Sequence, residues 1–241
     1  MATSRPILFR YLKASTTVLA GDVMGTVFDP GHVDQVNRAE AEYPLARTKE
    51  ATLYLDAASR SMSAIPISAE SSVDYSGATG SVVFEFTTDR DVEIVGPIGA
   101  KLWLETVTSS DADLFLYLRK ADANGNPLLH VDVSGTFQGA KGRLRASHRE
   151  LDEAKSTPLV PVQKHERALP VVPGQPMPME VGIWPLGMRW HAGERIQLMV
   201  SYNIIDTSQG DETVNSGPLR IRTGGKYDSR IILPVTSAQG I

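Results

Sequence analysis

Ala100-Lys-Leu-Trp-Leu-Glu-Thr-Val-Thr108, followed by Asp113-Leu-Phe-Leu-Tyr-Leu118, is the stretch on which the fold turns. Leu102, Leu104 and Thr106 share one face of the first run, and Leu114, Leu116 and Leu118 share one face of the second. This is the period of two that marks half-buried strands. The same alternation appears upstream in Val82, Phe84 and Phe86, and downstream in Val181 and Ile183, in Ile196, Leu198 and Val200, and in Ile231, Leu233 and Val235. Gly96-Pro97, Asn124-Gly125, Pro173-Gly174, Gly193 and Ser216-Gly217-Pro218 supply turn chemistry between the runs. Many short strands without alternating helices predict an all-β, antiparallel β-sandwich.

Helical signal is thin. Ser147-His148-Arg149-Glu150 fits a capping box opening the short run Leu151 to Lys155, enough for one or two turns. Val33 to Ala41 is a second candidate, which Pro44 would stop. The first fifty residues otherwise lack sustained alternation and read as an N-terminal arm with one or two strands, leaving 51–241 as the sandwich. Ser156 to Pro178 carries six prolines in 23 residues, an extended excursion across the surface.

The 241 residues include no cysteine, so disulfides, thiolate metal ligands and a thiol nucleophile are excluded. A formal charge of -4 offers no electrostatic footprint for nucleic acid or anionic lipid. No stretch approaches the roughly 20 apolar residues of a membrane span. The apolar runs beside Arg5, Arg10 and Lys13 are too short for a secretory signal, so a cytoplasmic location is expected.

Tests for catalytic motifs fail in instructive ways. No serine stands in a Gly-x-Ser-x-Gly frame, the strained elbow that exposes a nucleophilic hydroxyl; Ser134 has Gly135 after it but Asp132 two residues before. Gly224-Gly225-Lys226 is not a phosphate loop, because Arg220 and Tyr227 occupy the positions that need glycine and serine or threonine. His32, His130, His148, His165 and His191 form no i, i+4 pair, so no metal and no cofactor is expected. Asp122-Ala-Asn-Gly-Asn126 departs from a calcium loop at Pro127 and Val133 and reads as a hairpin turn. Asp111 and Asp113 lie close at the start of a strand, where they would either hold a hard cation or meet backbone amides and arginines.

The second faces of the strands carry Trp103, Phe115, Tyr117, Trp184, Met199 and Ile232, where a solvent-facing sheet should be polar. Either the arm and the proline-rich excursion cover them, or another domain or subunit docks there. Trp103, Trp184 and Trp190 are the aromatic candidates for a binding surface, and Asp111 and Asp113 are the acidic ones.

Gly142-Arg-Leu-Arg-Ala-Ser-His-Arg-Glu-Leu-Asp152, Val181-Gly-Ile-Trp-Pro185, His191-Ala-Gly-Glu-Arg-Ile196, Thr223-Gly-Gly-Lys-Tyr-Asp-Ser229 and Leu233-Pro-Val235 stand in this order along the chain. Together they resemble the C-terminal domain of the X-prolyl dipeptidyl peptidase and cocaine-esterase-like (CocE/NonD) serine hydrolases. Tyr43-Pro-Leu-Ala-Arg-Thr48 with Leu53-Tyr-Leu-Asp56 is similar to the segment that joins that domain to the hydrolase core. The resemblance implies a jelly-roll sandwich of galactose-binding type and a catalytic triad on a preceding α/β-hydrolase domain. It therefore implies no catalytic residue in this chain, which agrees with the missing elbow. A histidine common before the Gly-Gly of the family is absent, Arg222 and Thr223 standing there. The implied role is to pack on a hydrolase domain, in the same chain or in trans, to wall its cleft and to support oligomers. The alternative is a free-standing carbohydrate- or peptide-binding sandwich.

Overall fold

The computed structural model describes residues 7–8, 29–32, 39–40, 42–77, 80–132, 135–205, 213–237 and 240–241. Among these, β1 (Ile7–Leu8) pairs antiparallel with β2 (Ala39–Glu40) in the arm. The helix expected over Val33 to Ala41 falls mostly outside the described residues, and its Ala39–Glu40 portion is strand.

The sandwich is built from β3 (Lys49–Asp56), β4 (Ser61–Ser63), β5 (Ser71–Tyr75), β6 (Ser81–Thr87), β7 (Val92–Thr106), β8 (Asp113–Ala121), β11 (Ala140–Arg145), β12 (Met177–Trp190), β13 (Arg195–Ser201), β14 (Leu219–Thr223) and β15 (Arg230–Val235), with β9 (His130–Asp132) and β10 (Gly135–Phe137) forming a small hairpin outside it. One layer runs β11-β8-β13-β6. The other is organised on the fifteen-residue β7, which has β12 along one side and β14 and β15 end to end along the other; β5 and β3 follow outside those. The layers join where β4 meets β6 in a single parallel bridge, Ser61 to Glu85; the other strand pairs are antiparallel.

The alternating residues read from the sequence meet between the layers. Leu114, Leu116 and Leu118 of β8 and Ile196, Leu198 and Val200 of β13 pack against Leu102 and Leu104 of β7, Ile231 and Leu233 of β15 and Leu53 of β3, all fully buried. Each such side chain contributes about 1.5–3 kcal/mol relative to exposure. At the far rim β11 and β12 abut without a ladder between them. There a Cβ on Gly142 would lie 2.6 Å from the Gly182 carbonyl oxygen, so glycine is what allows the two edges to touch.

Two local readings of the sequence are corrected. Gly96-Pro97 is no turn but lies inside β7. Ile183 pairs with Ile98 and Leu186 with Gly96, so Trp184 and Pro185 of β12 stand opposite Pro97 alone, a β-bulge that bends the pair without ending it. Gly96 holds φ of 134°, a value the bulge demands and a side chain resists. The capping box also fails to form. The helical turn is a single 3-10 turn, Ala146–His148, that starts straight out of β11 with extended Arg145 ahead of it and no side-chain cap from its own segment. Its acceptor comes from the start of the neighbouring strand: Asp111, just ahead of β8, receives the Ser147 N–H at 3.0 Å and the Ser147 hydroxyl at 2.7 Å, while Glu150 is drawn to Arg167 and Lys164.

The proline-rich excursion does cover a sheet face. Pro158 lies so close over Gly99 that a Cβ there would overlap its carbonyl oxygen, and Pro161 lines a hollow with Ile232 and Lys101.

Candidate functional site

The five residues nominated from the sequence do not form one site. Trp190 is wholly buried in the core, its indole N–H donating to the Arg195 carbonyl at 3.1 Å, so it offers no surface to a ligand. The bulge after Ile183 shifts the register so that Trp190 shares the inner face with Met188. Trp103 is half-buried: its N–H donates to Asp228 at 2.9 Å, and its ring meets Tyr227 edge-on at 5.4 Å. Asp113 takes both oxygens to the Arg145 guanidinium, at 2.9 and 3.0 Å, and receives the Val214 N–H. Asp111 is occupied by Ser147 and by the Ala112 N–H. These carboxylates meet an arginine and backbone amides, the second of the two arrangements open from the sequence.

Trp184 is different. The bulge pushes it out of the ladder, and it is 65% exposed, with Lys141 Nζ 5.4 Å from the ring centroid. It forms one wall of a groove of about 330 Å³ whose other lining comes from Phe115, Tyr117, Ile204, Lys141, Arg143 and the glycine pair Gly142 and Gly182. Phe115, Tyr117 and Met199 are themselves buried, clustered with Val83, Ile204 and Ile205. The chain covers its own second face there, which removes most of the reason to expect a docked subunit on it.

A charged cluster at the end of the sandwich was missed in the sequence. Lys120 has no exposed side-chain area and reaches Asp29 Oδ1 at 2.6 Å and Glu194 Oε2 at 2.8 Å. Asp29 Oδ2 faces His191 Nε2 at 2.9 Å, and Glu194 Oε1 faces His32 Nε2 at 3.0 Å. Burial pushes the Asp29 carboxyl up, but Lys120 and His191 outweigh it and hold the group below its ordinary value. The available signal was parity: Lys120 stands in the same register as Leu114, Leu116 and Leu118, a cation in an otherwise leucine face.

A second network ties the end-to-end strands together. Arg220 grips Asp74 through two bonds, at 2.6 and 2.9 Å, and also reaches Glu105 at 3.2 Å, with Arg222 on the other Glu105 oxygen. Asp228 receives Lys101, Trp103 and Arg230. Burial raises the Asp228 carboxyl, and its bonds to Lys101 and Trp103 with the charges of Arg230 and Lys101 bring it below normal. Asp74 is lowered chiefly by Arg220. A carboxyl whose folded pKa is depressed lends stability that is complete above its unfolded value, about 3.9, and lost as pH falls through the folded value. Thermal melts should therefore drop steeply below about pH 4, and Asp228→Asn should flatten that drop; an unchanged acid limb would contradict the assignment.

With the fold and these clusters in view, comparison with known proteins is decisive. A family model described as the X-Pro dipeptidyl-peptidase C-terminal non-catalytic domain matches residues 17–232. The chain belongs to that family. Among solved structures, a CocE/NonD family hydrolase from Staphylococcus aureus superposes with a TM-score of 0.79 at 33% identity over 86% of this chain and 40% of its own. An aminopeptidase from a marine sediment Thaumarchaeota archaeon, at 12% identity and TM-score 0.60, covers 83% of this chain and 39% of its own. An alpha-amino acid ester hydrolase, at 14% and 0.54, covers the same shares. These last two share the fold alone. The X-Pro dipeptidyl-peptidase C-terminal-type domain thus spans about 40% of the length of the hydrolases it matches. Among curated protein sequences none matches significantly. The family's description as non-catalytic fits a chain without a nucleophile elbow. No helix among the described residues is long and apolar enough to cross a membrane.

Proposed function

We propose that this chain is the accessory β-sandwich of a CocE/NonD or Xaa-Pro dipeptidyl-peptidase-type serine hydrolase, packing on and shaping an α/β-hydrolase domain that carries the triad. The observation behind this is the 33% identical hydrolase, of which the chain covers only 40% while aligning over 86% of itself. The partner domain is joined in the same chain or meets this one in trans, with 1–50 as the connecting arm, 51–241 as a jelly roll of galactose-binding type, and the cytoplasm as the working compartment. Homo-oligomers would form through the same sandwich. A fluorophosphonate probe should leave the purified chain unlabelled, and stoichiometric labelling would sink the proposal. Co-purification with an α/β-hydrolase from the native source would establish the partner and distinguish the in-trans arrangement.

The exposure of Trp184 beside a groove supports a second reading, a sugar- or peptide-binding module. An exposed indole offers a flat apolar face for stacking, and pockets of this size hold small ligands. Binding on a glycan or peptide array that vanishes in Trp184→Ala would favour it; a silent array would remove it.

A further inference from the structure

Asp29, His32, His191 and Glu194 are arranged in a way that hydrogen bonding to Lys120 explains only by half. Lys120 Nζ takes the inner oxygen of each carboxylate, Asp29 Oδ1 and Glu194 Oε2. The outer oxygens, Asp29 Oδ2 and Glu194 Oε1, are both turned towards imidazole nitrogens. The two rings lie 3.9 Å apart between centroids, and ligand atoms of Asp29, His32 and His191 all fall within 4.8 Å of one another. We propose that Asp29, His32 and His191 bind one divalent transition-metal ion of the Zn²⁺ class, with water as the fourth ligand, Lys120 fixing the back of the Asp29 carboxylate and Glu194 standing beside His32.

The donor set selects the ion. Two imidazole nitrogens and a carboxylate oxygen suit Zn²⁺ and its neighbours, whereas Ca²⁺ and Mg²⁺ favour all-oxygen shells and soft ions favour sulfur. Bonds of about 2.0–2.2 Å place the corners of a tetrahedral site about 3.3 Å apart, close to the 2.9 Å already seen between Asp29 Oδ2 and His191 Nε2. The surroundings also resemble a supporting shell, in which a ligating histidine offers its other nitrogen to a carboxylate. His191 Nδ1 lies 3.6 Å from Asp91 Oδ2, and Asp91 is itself held by Arg189 at 2.6 Å and the Ala192 N–H at 3.1 Å. The His191 backbone N–H donates to Glu194 Oε2 at 2.6 Å, so the turn that Gly193 makes possible, at φ of 89°, presets the position of His191. The ion would pin residues 29–32 of the arm onto the sandwich.

The test uses the full chain, stripped with chelator and titrated with Co²⁺ and, by calorimetry, with Zn²⁺. One equivalent should saturate it and give the intense visible absorption of four-coordinate Co²⁺. His32→Ala and His191→Ala should each weaken Zn²⁺ by at least about tenfold and Asp91→Ala by about tenfold. His148→Ala should change nothing, although His148 and His165 sit with ring nitrogens 3.2 Å apart at the surface. Should the ligand variants fail to fold, the wild-type Co²⁺ spectrum decides by itself. Absence of saturable binding, a weak six-coordinate spectrum, or affinity that follows His148 would overturn the proposal and leave the cluster as a hydrogen-bonded charge network.

Discussion

Replacing Lys120 with alanine is expected to lower the unfolding free energy by about 3–5 kcal/mol. The ammonium is completely buried and is the cation between Asp29 and Glu194, both of which are nearly buried themselves. Without it two carboxylates stand side by side in a low-dielectric pocket, and the desolvation that the ion pair offset is no longer compensated. Lys120→Met separates charge from packing, because it keeps most of the stem volume and loses only the ammonium; its loss should be nearly as large. Urea unfolding with an unchanged slope measures both. A loss below about 1 kcal/mol, the range of exposed pairs, would mean that water already reaches the cluster and the reading is wrong.

Trp190→Ala should cost a similar 3–5 kcal/mol, through lost apolar burial, the cavity it leaves and the orphaned Arg195 carbonyl. Trp184→Ala, on the exposed bulge of the same strand, should stay within about 0.5 kcal/mol. The contrast between two tryptophans six residues apart tests the register of β12 directly. Comparable losses at both positions would be incompatible with the bulge between Ile183 and Leu186.

The strands that alternate cleanly, Leu102 to Thr106, Leu114 to Leu118 and Ile196 to Val200, were legible because each has one face on the core, and period two follows from that geometry. Only the part of β7 from Ala100 was read as strand, because Gly96-Pro97 has the composition of a turn; the bulged partner shows that the strand begins earlier and runs through it. The capping box was misread for a related reason. Its local spacing is right, but Asp111, remote in sequence, supplies a better acceptor. The clusters of charge were least legible. His32 and His191 are separated by 159 positions in the chain, and no periodicity connects them. They meet because residues 29–32 lie against the turn after β12. Trp190 illustrates the same limit: counted from Val181 and Ile183 it falls on the second face with Trp184, and only the bulge between Ile183 and Leu186 turns it into the core.

The position of β14 and β15 bears on how the protein is made. A ribosome delivers Lys49–Asp56 and Val92–Thr106 long before Arg230–Val235, yet β15 lies between β3 and β7, hydrogen-bonded to both. Until the last strands emerge, the nascent chain holds two unzipped strand edges at the centre of a layer, the kind of surface that recruits other chains. The sheet is therefore completed from the middle by its latest segment, and shortening the chain ahead of Leu219 would remove a keystone rather than trim a rim.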